Sequence, residues 1–174
     1  MKDTITTRIY PTSHGDIWLG ADDKGLRLCK WAEGLYESWR SKANRKRILL
    51  TEGSNAIIDD AVSQLEEFFC RRRTEFHLQL APHGTEFQMK VWHELTRITY
   101  GTTITYGELA RRIGNAKASR AVAMACHNNP ISIIIPCHRV IGCNGKLTGY
   151  AGGLDKKAAL LNIENNLFYK QYIK

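Results

Sequence analysis

Residues 105–130 read TYGELARRIGNAKASRAVAMACHNNP, and their punctuation predicts two short helices joined by a tight turn. Thr105 stands three residues before Glu108, the spacing of a capping box that satisfies the free N–H groups at a helix start. Gly114 supplies the left-handed residue on which helices commonly end. A second helix is expected from Lys117 to His127, stopping before Asn128-Asn129-Pro130. Short helix, glycine turn, second helix is the arithmetic of a helix-turn-helix. The second helix carries Ala118, Ala121, Ala123 and Ala125 with one large cation, Arg120, among them. Small residues suit a tightly packed core helix or a helix whose backbone meets a groove closely. Its place after a short helix, in the basic part of the chain, favours the groove.

Upstream, Thr85-x-x-Gln88 is another capping-box start, and Phe87, Val91 and Leu95 line one face of the helix it opens. Before it, FHLQLAPHG (76–84) reads as a last strand and a linker, which puts a domain boundary between residues 1–82 and 83–174. In the first domain DIWLGA (16–21) and LRLCKW (26–31) flank Asp22-Asp23-Lys24-Gly25, a hairpin signal. RSKANRKRILLTEGSN (40–55) reads as a polar loop, with Arg45-Lys46-Arg47 a solvated cluster. Ile58, Val62, Leu65 and Phe69 recur at helical spacing between Ala56 and Phe69. Arg71-Arg72-Arg73 then sit where the helix dipole favours cations.

Apolar residues make up 43% of the 174 and charged residues 24%, which is ordinary globular composition. No apolar run approaches the ~20 residues of a membrane span, and MKDTITTRIY lacks the apolar core of a signal peptide. Five cysteines with no CxxC pair argue for reduced thiols rather than a disulfide framework. A cytoplasmic protein without membrane association is therefore expected. Of the net charge of +8, residues 1–84 hold +1 (13 Lys+Arg against 12 Asp+Glu) and residues 85–174 hold +7 (12 against 5). Such asymmetry points to a polyanionic partner for the second domain.

Downstream, Ile131 to Ile135 reads as a buried strand leading into Pro136-Cys137-His138-Arg139-Val140. A free thiol has a pKa of about 8.5 and is only a few per cent thiolate at neutral pH, a deficit that a nearby base can make good. A packed cysteine beside a surface histidine is the plain alternative. Cys126-His127 and Cys137-His138, with Cys143, could also hold a metal, though their spacing matches no common zinc pattern. A cysteine hydrolase would need Cys137, a histidine (His138 or His127) and Asn129 together.

IPCHRVI (135–141), preceded by NNP (128–130) and followed by GYAGGL (149–154), resembles the active-site signature of the O6-alkylguanine-DNA alkyltransferases. The likeness extends through GTEFQMKVWHEL (84–95), YGTTITYGELARRIG (100–114) and SRAVAMACHNNP (119–130), and is dense over about residues 82–165. It implies an α+β fold, with an N-terminal ribonuclease-H-like sheet-and-helix domain supporting a C-terminal winged-helix-like domain. It also implies irreversible, once-only transfer of an alkyl group from O6-alkylguanine in double-stranded DNA to Cys137, with O4-alkylthymine a further candidate substrate. By the same resemblance His138 deprotonates Cys137 through a water, and Glu164, in LLNIE, orients His138. Tyr106 assists the departing guanine, and Arg120, flanked by Ala121, fills the gap left by the flipped base. Asn129 supports the turn before the cysteine, and Val140, Tyr150 and Ala151 line the pocket. No cofactor or metal is implied, because the thiol is both nucleophile and acceptor, and a monomer is expected. Cys29 and Cys70 give no set for the structural zinc of some relatives.

The chain departs from the family at Ala151, where a serine hydroxyl is sometimes found, so backbone N–H groups alone would serve the substrate there. Ser132 and Thr99 replace prolines of some members. Retention of Cys137 separates the chain from family proteins that bind the lesion without chemistry. The rival reading is a DNA-damage sensor or transcription regulator built on the same helix-turn-helix.

Overall fold

The computed structural model describes residues 4–33, 41 and 48–165. The chain separates into two compact units, Met1–Pro82 and His83–Lys174.

In the first unit β1 (Thr4–Tyr10), β2 (Ile17–Asp22), β3 (Gly25–Trp31) and β4 (Leu49–Glu52) form one sheet in the order β3-β2-β1-β4. The hairpin signal is realised, with Ile17 opposite Trp31 and Asp22 opposite Gly25. Part of the stretch expected as loop is instead β4, which runs parallel to β1 with Thr4 opposite Leu49. Residues 42–47, including the basic cluster, lie outside the described residues. Helix α1 (Ala56–Phe69) buries Ile58, Ala61, Leu65 and Phe68, so the apolar stripe is rotated from the expected one. Phe69 is half-buried and stacks on His14, with ring centroids 5.5 Å apart. Arg71 ends α1 in the left-handed region (φ 58°), and Arg73 pairs with Glu67 at 2.8 Å.

The segment 76–84 is not the strand expected from its alternation. Among the described residues it pairs with the sheet at one bridge, Leu26 to Leu80. The cause is Gln64 of α1: its side chain donates to the His77 carbonyl at 2.9 Å and accepts from the His77 N–H at 2.8 Å. Those backbone groups are thereby satisfied without a ladder.

In the second unit α2 (Glu86–Leu95) begins with the full capping box of Thr85 and Gln88. After it come β5 (Ile104–Thr105), α3 (Tyr106–Arg112) and α4 (Ser119–His127). Thr105 caps α3 alone, because the Glu108 carboxylate turns to Arg111 and Arg112. Gly114 (φ 78°) ends α3, with Asn115 N–H on the Ala110 carbonyl and Gly114 N–H on that of Arg111, the paired bonds of a Schellman motif. Helix α4 divides its small residues between two roles. Ala125 is buried, where it lets Trp92 of α2 donate to its carbonyl at 2.9 Å, while Ala121 is exposed beside Arg120.

Ile131, Ile133, Ile134 and Ile135 are buried as expected, but they form a turn and not a strand. Ile133 takes φ 73°, and Ile135 N–H returns to the Ile131 carbonyl at 3.0 Å. Asn129 closes this turn from inside and overrides the β preference of the isoleucines. It accepts from Ile131 N–H at 3.0 Å and donates to the Ile135 carbonyl at 2.8 Å. A 3₁₀ turn, Cys137–Arg139, follows; then β6 (Val140–Ile141) pairs in parallel with β5, and α5 (Leu154–Asn165) ends the described chain.

Candidate active site

The turn held by Asn129 delivers Cys137 to the start of the 3₁₀ segment. The thiol is 4% exposed, and Asn129 Nδ2 donates to its Sγ at 3.2 Å. One amide thus ties together the isoleucine turn and the sulfur, at a residue itself 1% exposed.

His138 is fully buried rather than superficial. Its Nε2 lies 2.6 Å from Glu164 Oε1. Glu164 also accepts from Arg139 Nε and Nη2, both at 3.0 Å, and from the Gly101 N–H at 3.1 Å. Burial works to raise the Glu164 carboxyl, but the hydrogen bonds from His138 and Arg139 and the Arg139 charge outweigh it and hold the pKa at about 2. Burial acts oppositely on the imidazole: it lowers the His138 pKa, against the pull of Glu164. A neutral ring facing an ionised carboxylate carries its proton on Nε2, so Nδ1 keeps its lone pair. Nδ1 is buried and has no hydrogen-bond partner among the described residues.

Tyr106 opens α3, and its hydroxyl donates to the Thr148 and Gly149 carbonyls, each at 3.1 Å. Burial, with the nearby Cys126 and Cys137 sulfurs, pushes its pKa well above the usual phenol value. The hydroxyl therefore remains a donor. Val140 is fully buried, and Tyr150 and Ala151 are half-buried in the loop before α5.

Cys137, His138 and Glu164 are brought into one buried cluster with Asn129, and Tyr106 meets the loop that precedes Tyr150. Arg120 and Ala121 lie on the exposed face of α4. The triad of a cysteine hydrolase does not form, since Asn129 bonds the sulfur and the turn while the histidine takes a glutamate. Among the described residues no three His, Cys, Asp or Glu side chains are gathered as a metal would require.

Arg139 and Lys157 are buried cations at the site that the sequence did not single out. Arg139 is 6% exposed; besides gripping Glu164 it donates to the Ile98 carbonyl and lies 5.7 Å from the Tyr100 ring centroid. Its signal in the sequence is its place directly after Cys137-His138. Lys157 is fully buried, with Nζ 2.6 Å from the Val140 and Thr148 carbonyls. A signal existed: Lys157 shares its helical phase with Leu160, Leu161 and Glu164.

The 6-O-methylguanine DNA methyltransferase DNA-binding domain model matches residues 86–166. A methylated-DNA–protein-cysteine methyltransferase of Methanosarcina mazei is 59% identical over 164 residues, covering 93% of this chain and 95% of its own. This chain belongs to the methylated-DNA–protein-cysteine methyltransferase family. A member from Mycolicibacterium paratuberculosis is 54% identical over 160 residues, 92% of either chain. Among solved structures, Mycobacterium tuberculosis OGT in complex with DNA is similar at 41% identity and TM-score 0.81, over 91% of this chain and 92% of that one. That likeness extends the family's mixed α+β fold to both units, and DNA is the partner its members share.

Proposed function

We propose that this protein repairs DNA by direct reversal, moving the alkyl group of O6-alkylguanine onto Cys137 once per molecule. The observation that carries the proposal is the buried relay. A thiol precedes a histidine whose Nε2 bonds an ionised Glu164 at 2.6 Å and whose Nδ1 has no partner among the described residues. His138 Nδ1 takes the thiol proton through a water, and Glu164 stabilises the imidazolium that results. Sγ attacks the alkyl carbon; the S–C bond forms as the C–O6 bond breaks, and the guanine leaves as an anion that receives a proton. Tyr106, kept in its donor form, assists that departure. The thioether has no easy leaving step, so the protein is consumed.

An O6 substituent inside a duplex is out of reach of a buried thiol, so the nucleotide is extruded at a cost of a few kcal/mol. Arg120, exposed on α4 beside the small Ala121, enters the space vacated while α4 lies in the minor groove, which offers little sequence information. Val140, Tyr150 and Ala151 surround the extruded base, with Ala151 contributing only backbone N–H groups. On this reading the first unit is ribonuclease-H-like, the second is winged-helix-like and carries both DNA surface and chemistry, and the protein works as a cytoplasmic monomer.

Incubation with duplex DNA containing O6-methylguanine, followed by intact-mass measurement, tests the proposal. Product is expected to plateau at one methyl per molecule, all on Cys137, and Cys137→Ala to bind DNA without transfer. Repeated turnover, or methyl groups on Cys126 or Cys143 instead, overturns it.

A further inference from the structure

Lysine is almost never fully buried without a carboxylate. Lys157 is 0% exposed, and among the described residues its hydrogen-bond partners are two backbone carbonyls, of Val140 and Thr148, at 2.6 Å. Val140 belongs to the strand that leaves the Cys137 turn. Thr148 belongs to the loop before Tyr150, and its carbonyl also receives the Tyr106 hydroxyl. The ammonium lies 5.8 Å from the Tyr106 ring centroid. One cation therefore joins the Val140 strand, the Thr148 loop and Tyr106.

We propose that Lys157 is a positioning residue for alkyl transfer, its ammonium strapping the Val140 strand to the Thr148 loop and placing a positive charge behind the Cys137 sulfur as it becomes a thiolate. The inference rests on the alkyl-transfer reading above and adds a residue to it. Cation and carbonyl dipoles alone compensate poorly for a buried charge. The deficit is made up when the sulfur ionises, which is the moment of reaction, so the cation favours the reactive state over the resting one.

The groups facing Nζ are Tyr106 from α3, Cys126 from α4, and Cys137 and His138 from the 3₁₀ turn; Glu164 lies on its own helix. Burial pulls the Lys157 pKa down to about 8, while the Cys137 and Cys126 sulfurs act to raise it. Tyr106 and Cys126 are pushed far above their ordinary values, and His138 below its own. Lys157 is thus the group among these neighbours whose charge is lost just above neutral pH. The loop would survive that loss, because Leu147 packs with Ala158 and Leu161 of α5 in a separate apolar cluster.

The test is single-turnover transfer by the full chain from pH 6 to 9.5, with O6-methylguanine duplex and with free O6-methylguanine base. Wild-type rates are expected to fall above about pH 8 on both substrates. Lys157→Met should react about tenfold or more slowly at pH 7 on both, the scale of a lost positioning contact. It should lack the alkaline fall and bind unmodified duplex as wild type does. Amide hydrogen exchange over residues 142–153 should rise in Lys157→Met, a readout independent of activity. A folded Lys157→Met with the wild-type rate and the same pH profile overturns the proposal. If that variant does not fold, a wild-type rate that stays level or rises between pH 8 and 9.5 overturns it equally. Absence of any methyl on Cys137 of wild-type protein at every pH refutes the alkyl-transfer reading instead, and the exchange data then decide the strap alone.

Discussion

Glu164→Gln replaces a buried carboxylate by an isosteric amide, and the structure assigns it two separable losses. The first is chemical. Gln keeps an oxygen that can accept from His138 Nε2 but removes the charge that stabilises the imidazolium formed when Cys137 gives up its proton. Positioned acid–base assistance is worth about 10²–10⁴-fold, so single-turnover transfer should slow by that order. The second is structural, because Glu164 also neutralises Arg139, which is 6% exposed. Leaving a buried cation unpaired costs about 3–5 kcal/mol. The His138 and Arg139 contacts hold the carboxyl at about 2, below its ordinary 4.5. At roughly 2–4 °C per kcal/mol for a chain of this size, the melting temperature should fall by roughly 10 °C. A glutamate that only oriented the histidine would leave it unchanged. Adding Arg139→Met removes the stranded cation, so the double variant should regain part of the stability while its transfer stays slow. Raising the pH from 7 to 8 should partly restore the Glu164→Gln rate, since more thiol then ionises unaided. Stopped reactions scored by intact mass, beside thermal melts, read both losses. Recovery of the wild-type rate together with stability in the double variant would remove Glu164 from the chemistry.

The same carboxylate sets the acid limit of the fold: its native pKa lies below the unfolded one, so its contribution is whole above about pH 4.5 and lost as pH falls toward 2. Urea midpoints at pH 6 and pH 3 should diverge more for wild type than for Glu164→Gln, and equal divergence would contradict the pairing; His138, held neutral by burial, adds to the loss in both. Asn129→Ala leaves the Ile131 N–H unpartnered, at about 1–3 kcal/mol, and takes from the Ile135 carbonyl one of its two donors, the other being the Cys137 N–H at 2.8 Å. It also removes the Asn129 donor from the Cys137 sulfur, so slower transfer should accompany a lower melt, and an unchanged rate would dismiss the Sγ contact. Arg120→Ala should slow repair of duplex DNA far more than reaction with the free base, which needs no extrusion. Equal slowing on both substrates would assign Arg120 to the chemistry or the fold.

Local chemistry made much of the second unit legible from the chain alone. A helix start is a side chain meeting an N–H two or three residues away, and a helix end is one residue at positive φ. Thr85 with Gln88, Thr105 and Gly114 therefore declared the helices in order, and the Cys-His pair with the motifs around it pointed to the reactive sulfur. Tertiary structure decided what depends on partners far along the chain. The alternating 76–84 segment lost its ladder to Gln64, and the isoleucine run turned because Asn129 closes on both its ends. Leu49–Glu52 became a strand only because Thr4–Thr7 lie beside it. Arg139 meets Glu164 across 25 positions and Lys157 meets Val140 across 17. A charged residue in a helix pattern defaults to solvent, since burial is costly until a partner is supplied. Supplying that partner is an act of packing, and spacing along the chain does not encode it.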